Sequence, residues 1–437
     1  MSDWTFKDLE KWDDKILEIA SDMGLDWFPI NYEVCDYYEM IGHMSYHGMP
    51  SHYQHWSYGK SFERTHQMYN FGMEGLPYEL IINSNPSIAY LMRENPIHLQ
   101  ILIMAHCVGH SDFFKNNRLF SNTHPESVVF KFRNAKKRIK GYIENTHIGT
   151  NKVEDFLDCL HTIRFQTERN NLKRETRKDL RKKYINLINN SNMTKDEIKN
   201  LNIESRVIKP DKDLLSFLIE NGNNFDDWEL DIINIVREES HYFIPQMKTK
   251  ILNEGWASFW HYRLMNELDL PQEYHIPFLK SHNQVIRPHI GRVNPYHLGF
   301  YLFKKIEENK GIDECFFLRE IHDDTSALRC HLDIEDARKI NLFSYSTKKE
   351  GITIDDISDE EGWEAVRDDL ISSVGTNGIP QVFVSDISDS GDLIIEHSYD
   401  GRDLDLEYAE QVIDKIREIW PGDVKFFTTI EEEPWEI

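Results

Sequence analysis

Residues 101–110 read Ile-Leu-Ile-Met-Ala-His-Cys-Val-Gly-His, an apolar run that carries two histidines four positions apart. On an α-helix, side chains at positions i and i+4 lie on the same face, one turn apart. His106 and His110 could therefore bind one metal ion between them. The alternative is that both are core histidines, each hydrogen-bonded to a buried neighbour.

A second apolar stretch, residues 251–257, places Glu254 among hydrophobic neighbours. An unpaired buried carboxylate is very costly, so this glutamate needs either a metal ion or a basic side chain in a salt bridge. We predict that Glu254 is the third metal ligand. His261 lies seven residues further on, hence on the same helical face, and is predicted to be a fourth ligand or a hydrogen-bonding residue that orients one.

Two histidines on one helix and a glutamate on a second resemble the metal site of the gluzincin group of zinc peptidases. Residues 253–258, Asn-Glu-Gly-Trp-Ala-Ser, are similar to the Asn-Glu-Gly-Phe-Ala-Ser that the second helix of this group often carries. The resemblance implies zinc as the cofactor and a mostly helical, zincin-like main domain. One part is missing, because the H-E-x-x-H pattern has its general base directly after the first histidine. This chain has Cys107 at that position.

Other acidic and histidine residues could supply catalytic groups. Glu238 and Glu239 are predicted general bases toward a metal-bound water. The alternatives are a ligand of a second metal for Glu239 and an ordinary acidic helix end for either residue. His282 is predicted to bind substrate or stabilise an oxyanion, and His241 is a further substrate-binding candidate. Cys107 would be a nucleophile only if its histidine neighbours lowered its pKa.

A loop predicted over residues 42–58 contains glycine and proline and is dense in histidine. His55, Trp56 and Tyr58 are predicted to contact substrate there, with the two aromatic rings stacking on sugars. The alternative is that the histidines of this loop bind metal.

Composition bounds the class of protein. The chain has 437 residues, of which 40% are hydrophobic and 12% aromatic, which is typical of a folded protein with a large core. Its formal net charge of -25 argues against nucleic-acid binding, which needs a basic surface, and against docking on anionic membranes. The five cysteines are scattered and form no C-x-x-C pair, which predicts a reduced, cytoplasmic chain. No signal peptide and no membrane span are expected.

Hydrophobic periodicity predicts an α+β protein with a mostly helical main part. Helices are predicted over residues 5–23, 31–48, 62–72, 87–94, 127–166, 228–243, 245–268, 295–308 and 406–420, with a long helix after Pro96. Strands are predicted over residues 78–83, 379–385, 392–397 and 424–428, and the second and third should form a hairpin. We predict a helical domain over residues 1–310, with a flexible basic insertion at 168–212, and a small acidic α+β domain over residues 311–437 that could dock a protein partner.

Several longer blocks resemble the stage V sporulation protein R (SpoVR) family, in order along nearly the whole chain. These blocks are residues 55–63, 78–86, 105–117, 236–239, 246–260, 294–296 and 401–404. The resemblance implies a cytoplasmic bacterial or archaeal protein linked to formation of the spore cortex, which is a peptidoglycan layer. The family also occurs in organisms that make no spores, which implies a broader stress or envelope role. The resemblance implies no particular reaction.

Three hypotheses follow from the sequence. The first is a zinc-dependent amide hydrolase that acts on a peptidoglycan-related or peptide substrate. The second is a non-catalytic scaffold or regulatory factor with a structural or vestigial metal site, which the missing H-E-x-x-H glutamate favours. The third is a di-metal redox site in a helical carboxylate protein, which ranks last because the chain lacks the repeated Glu-x-x-His pattern of that class.

Overall fold

The computed structural model describes residues 3–71, 79–169, 177–189, 210–222, 224–289, 291–348 and 351–437. The protein is α+β, with helices in the majority and several small sheets. Its helices in the described residues are α1 (Phe6–Asp22), α2 (Tyr37–Ser45), α3 (Trp56–Asn70), α4 (Ile97–Asn116), α5 (Val128–Glu144), α6 (Gly149–Ile163), α7 (Arg177–Asn189), α8 (Leu214–Asn221), α9 (Asp227–Lys248), α10 (Lys250–Glu267), α11 (Gln272–Val285), α12 (Pro295–Lys310), α13 (Ile312–Ile321), α14 (Asp324–His331), α15 (Ile334–Lys339), α16 (Trp363–Ser373) and α17 (Leu406–Ile419).

The strands within the described residues belong to three separate sheets. They are β1 (Ile30–Cys35), β2 (Glu79–Ile82), β3 (Ser87–Met92), β4 (Phe343–Lys348), β5 (Gly351–Ile357), β6 (Val382–Ile387), β7 (Leu393–His397), β8 (Val424–Ile430) and β9 (Glu433–Glu436). The chain forms two compact units, one of residues 1–137 and 245–378 and the other of residues 138–244 and 379–437. Each unit contains residues from both sides of position 310, where the sequence predicts a domain boundary. That domain boundary stays a prediction.

In the first unit, α1 begins where the sequence predicts. Thr5 caps the helix, because its side chain accepts a hydrogen bond from the Asp8 backbone while the Asp8 carboxylate accepts from the Thr5 backbone. Helical periodicity over this segment places Phe6, Leu9, Trp12 and Ile16 on one face. Leu9, Trp12 and Ile16 are buried, whereas Phe6 is exposed.

A three-stranded sheet in the first unit has the order β1-β3-β2. β3 lies in the centre, parallel to β1 and antiparallel to β2, so that Glu79 lies opposite Leu91. The predicted strand over 78–83 is confirmed as β2 in its described part. The predicted helices over 87–94 and at the start of 31–48 are wrong, because these segments form β3 and β1. A short apolar run such as β3, buried along nearly its whole length, lacks the alternation that identifies a strand.

The core of the first unit is built around α4, which is buried on all sides from residue 99 to residue 114. It packs against α1 and α10, and α10 in turn packs against α12. Both contacts of α10 depend on glycine. A Cβ at Gly109 would lie 2.7 Å from Ala257 Cα, and a Cβ at Gly255 would lie 2.4 Å from the Gly299 backbone. The helix backbones therefore approach more closely than side chains would allow.

The helix break predicted between residues 243 and 245 falls five residues later. α9 continues through Pro245 to Lys248, and α10 begins at Lys250. The helices predicted after Pro96 and at 295–308 are confirmed as α4 and α12.

In the second unit, a four-stranded sheet has the order β6-β7-β8-β9. β6 and β7 are antiparallel, which confirms the predicted hairpin, and β7 and β8 are parallel, with α17 between them in sequence. The helix predicted at 406–420 and the strand at 424–428 are also confirmed. Within the basic insertion predicted at 168–212, α7 is a helix, and most of the remainder lies outside the described residues. No helix in the described residues has both the length and the apolar character needed to cross a membrane.

Candidate metal centre

Four side chains of the first unit converge at the start of β2. Glu79, His106, His110 and Glu254 each offer one ligand atom, and these atoms all lie within 4.8 Å of one another. Glu79 is the first residue of β2, the two histidines lie one turn apart on α4, and Glu254 comes from α10. The group thus joins β2 and α4, which are near neighbours in the chain, to α10, which is far from both in sequence.

The close approach of α4 and α10 explains how Glu254 reaches the histidines. Gly109 lies between His106 and His110 in sequence, and its missing side chain lets the α10 backbone approach at Ala257. Gly255, directly after Glu254, gives the same freedom toward α12. The glycines in both sequence motifs therefore position the site.

Both histidines turn the same ring nitrogen toward the carboxylates. His106 Nε2 lies 3.5 Å from Glu79 Oε1 and 3.8 Å from Glu254 Oε2, and His110 Nε2 lies 3.4 Å from Glu254 Oε2. The other nitrogens are engaged outside the group. His110 Nδ1 donates to the Asn253 side-chain oxygen over 2.9 Å, and His106 Nδ1 lies 2.8 Å from His261 Nδ1. Metal-binding histidines are held in this way, with one nitrogen facing the ion and the other hydrogen-bonded.

The donor set fits a divalent cation. His106 Nε2 and Glu254 Oε2 are buried, and neither has a hydrogen-bond partner within the described part of the chain. Buried polar atoms of native proteins are nearly always satisfied, so a shared cation would explain both atoms. Two imidazole nitrogens with carboxylate oxygens suit Zn²⁺ and also Fe²⁺ or Mn²⁺, and the side chains alone do not select among them.

The electrostatics keep the carboxylate of Glu254 charged. Burial acts to raise its pKa, but the adjacent imidazoles of His106 and His110 outweigh burial and hold the pKa well below its usual range. Burial acts to lower the pKa of His110, yet the adjacent carboxylate of Glu254 raises it overall. The two groups therefore favour each other's charged form. A bound metal ion would take the place of the positive charge on His110.

A phenol completes the polar surroundings. The Tyr296 hydroxyl, at the start of α12, donates to Glu79 Oε1 over 3.4 Å. Burial and the charges of Glu254 and Glu79 raise the pKa of Tyr296 well above its usual value, so the hydroxyl remains a donor at neutral pH.

The structure brings three predicted ligands together and places a fourth outside them. His106, His110 and Glu254 belong to the group, whereas His261 contacts His106 from behind, in the orienting position that was the alternative prediction. His282 lies behind His261, with its Nδ1 2.7 Å from His261 Nε2. Burial, then the charge of His106, lowers the pKa of His282 to about 4.

Three further candidates belong to α9. Glu238, Glu239 and His241 are on this helix within the second unit, and their catalytic and substrate-binding roles stay predictions.

The predicted substrate residues form the start of α3. His55 caps this helix by accepting from the Ser57 backbone. Trp56 is half exposed, with the Lys60 ammonium 5.6 Å from its ring, and Tyr58 is buried with its hydroxyl 3.4 Å from His52 Nε2. Their contact with substrate stays a prediction.

Two residues of the site were missed from the sequence, and one alternative is disfavoured. Glu79 and Tyr296 lie in two of the blocks that resemble the SpoVR family. That resemblance was the sequence feature that could have identified them as site residues. Cys107 is fully buried, and burial raises the pKa of its thiol well above the usual value. A buried protonated thiol is a poor nucleophile.

The whole chain has recognisable relatives. Residues 3–379 match the protein-family model described as "SpoVR like protein". The chain is also 31% identical over 479 residues to the "Uncharacterized protein YcgB" of Escherichia coli strain K12, with 97% of this chain and 92% of the relative covered. No solved structure matches the chain significantly.

Proposed function

This chain belongs to the SpoVR-like protein family, and we propose that it is a metal-dependent member that binds one divalent cation through His106, His110 and Glu254. Zinc is the first candidate. The observation that carries the proposal is the convergence of four ligand atoms within 4.8 Å, two of which are buried without a hydrogen-bond partner among the described residues. Three protein ligands would leave a coordination position open, as catalytic zinc sites do.

We further propose that Glu79 is the general base that Cys107 does not supply. Its carboxylate lies beside His106 and keeps 12% of its side chain exposed, so it can accept a proton from a bound water. Tyr296 would hold Glu79 in place by donating to Oε1. A bound divalent cation would polarise the carbonyl of the substrate and lower the pKa of a bound water. The reaction class supported best is hydrolysis of an amide bond.

The substrate is proposed from the family alone. The family name supports a connection with sporulation, and we propose a peptide or a peptidoglycan-related compound, the latter as a precursor in the cytoplasm. The chemistry at the site fits either compound, since both contain amide bonds.

Elemental analysis of the protein purified without a histidine tag tests metal binding. We expect about one equivalent of metal in the wild type, and none in His106→Ala or Glu254→Gln. His98→Ala is the matched control, because His98 lies on the same helix but outside the group, and this variant should keep its metal. A folded wild type that takes up no added zinc, cobalt, iron or manganese would contradict the proposal.

Hydrolysis assays with the metal-loaded protein test the role of Glu79. Peptide libraries and peptidoglycan precursors analysed by mass spectrometry are the substrates. If Glu79 is the general base, the Glu79→Gln variant should keep its metal and lose about 10²–10⁴-fold in rate. Loss of the metal in this variant would instead assign Glu79 as a fourth ligand.

A second function, a structural metal site in a scaffold protein, is favoured by the enclosure of the group. The histidine side chains are only 2% and 4% exposed. In that case metal would stabilise the first unit without turnover, and the acidic residues 311–437 would serve as the partner-binding part. Bound metal without hydrolysis of any tested amide would favour this function.

A further inference from the structure

We propose that His261 and His282 are positioning residues, which together hold His106 in the tautomer that presents its Nε2 lone pair to the metal. This inference rests on the proposed metal site and assigns two residues outside the ligand set a role in its affinity. Three imidazoles form a continuous chain on which the proposal is based. His106 Nδ1 lies 2.8 Å from His261 Nδ1, and His261 Nε2 lies 2.7 Å from His282 Nδ1.

Each neutral imidazole has one N–H donor and one acceptor nitrogen, so the chain has a direction. When His106 Nε2 binds a metal, its Nδ1 carries the proton and donates to His261 Nδ1. His261 then carries its proton on Nε2 and donates to His282 Nδ1. The reversed chain places a proton on His106 Nε2, where it faces Glu79 and Glu254 and blocks the metal.

The two ligand histidines differ in what fixes their tautomers. His110 donates to the oxygen of Asn253, an atom that can only accept, so its orientation needs no further residue. His106 contacts an imidazole that can accept or donate. The direction of that hydrogen bond depends on His282, which accepts from His261 when its own proton lies on Nε2.

The hydrogen bond between His261 and His282 is shielded from water. His261 is fully buried and His282 is 3% exposed, so water cannot readily replace a lost partner. The rings of Tyr262 and Phe300 pack against His282 with centroids 4.8 Å and 5.1 Å away. A buried N–H of His261 that lost its acceptor would stay unsatisfied, which disfavours the metal-binding direction of the chain.

Zinc affinity of three His282 variants tests the proposal, with a competing chelator to set the free metal concentration. His282→Leu removes the acceptor and should weaken zinc binding about 10–100-fold. His282→Asn places its amide oxygen where Nδ1 lies and should bind within about threefold of the wild type, a difference of less than 1 kcal/mol. His282→Gln places its oxygen further out, near Nε2, and should bind as weakly as the leucine variant.

Controls separate this effect from a general loss of structure. His397→Leu removes another buried histidine, one hydrogen-bonded to Thr428 in the second unit, and should leave zinc affinity unchanged. Circular dichroism of each metal-free variant checks folding. If His282→Leu does not fold, the comparison of His282→Asn with His282→Gln decides, and equal affinities would overturn the proposal.

The outcomes also separate this inference from the proposed function. A wild type that binds no metal contradicts both. A wild type that binds zinc, with His282→Leu binding equally tightly, contradicts the positioning role alone. The cobalt-substituted proteins give a second readout without activity, because a rotated or weakly held His106 should change the visible absorption of Co²⁺ in His282→Leu and not in His282→Asn.

Discussion

Asn253 is the residue on which the orientation of His110 depends. Its side-chain oxygen accepts the Nδ1 proton of His110 over 2.9 Å, while its neighbour Glu254 contacts the opposite nitrogen of the same ring. We expect Asn253→Leu to weaken zinc binding about 10–100-fold, since loss of such a partner frees the ligand ring. Asn253→Asp should bind at least as tightly as the wild type, because a carboxylate makes the imidazole a stronger donor to the metal.

Chelator competition measures both affinities. Asn266→Leu is the control, because Asn266 also lies on α10 but makes its hydrogen bond to the Tyr262 carbonyl at an exposed position. Equal zinc affinity in Asn253→Leu and Asn266→Leu would mean that Asn253 does not orient His110.

At the same scale, the site shows which residues a sequence can reveal. His106 and His110 follow a four-residue spacing, and Glu254 is an acidic residue inside an apolar helix, so local patterns were enough to nominate them. Glu79 begins a strand, where a glutamate is ordinary, and only the folded sheet brings it to the histidines. Tyr296 looks like any tyrosine at a helix start. Residues that join a site through tertiary structure leave no periodic signal.

The crossing of α10 and α12 controls the position of Glu254. We expect Gly255→Ala to lower the free energy of unfolding by about 1–3 kcal/mol, because the added methyl would meet Gly299 backbone atoms that cannot move aside cheaply. The same displacement should weaken zinc binding.

Gly59→Ala is the matched control for this substitution. Gly59 lies within α3 and has no atom within 4 Å of an added Cβ, so alanine there should be neutral or slightly stabilising. Urea unfolding of the two metal-free variants provides the comparison. Equal stability of Gly255→Ala and the wild type would show that the crossing can widen at little cost.

Asp324 links the start of α10 to the pH dependence of stability. Its carboxylate accepts hydrogen bonds from the Ile251 and Leu252 backbones at 2.8 Å and 2.9 Å, yet burial outweighs these bonds and raises its pKa to about 8. The unfolded carboxyl has a pKa of about 3.9. The folded state therefore binds more protons between these two values, and the free energy of unfolding should fall as pH rises through this window.

The slope for one such group approaches about 1.4 kcal/mol per pH unit. Asp324→Asn removes the group, so its stability should decline less steeply than that of the wild type between about pH 5 and pH 7.5. At the acid end of this window the variant should be less stable than the wild type by about 1 kcal/mol, because the asparagine oxygen accepts only one of the two hydrogen bonds. This difference should shrink as the pH rises. Parallel stability curves in the presence of a chelator would contradict this assignment.

At the level of elements, sequence patterns succeeded for amphipathic segments and for the long buried helix α4, and failed for β1 and for the short buried strand β3. α1 was predicted from its helical periodicity, and the β6–β7 hairpin from two strand-like runs joined by a turn. β3 was predicted as a helix because its run of buried side chains has no period, and β1 and β2 on either side decide its structure. The compact units could not be foreseen either, since each combines two segments distant in sequence.

For the whole molecule, the candidate metal centre joins segments that the chain itself does not connect closely. Metal that binds the folded protein and not the unfolded chain stabilises the fold, by about 2.7 kcal/mol at a free concentration one hundred times the dissociation constant. We therefore expect a chelator to lower the melting temperature of the purified protein and added zinc to restore it. Glu254→Gln should melt at the same temperature in both conditions. A wild type with no response to either reagent would argue against a site of useful affinity.

The burial of α4 on every side has a consequence for synthesis on the ribosome. Residues 99–114 carry apolar surface that α10 covers, yet α10 ends only at residue 267. At about 5–20 residues per second, translation takes roughly 8–30 seconds to deliver that partner after α4 is complete. During this interval α1 is already present to cover part of α4, but the surface that packs against α10 stays exposed. A chaperone that binds residues near 100–114 would protect the growing polypeptide from aggregation until its second half arrives.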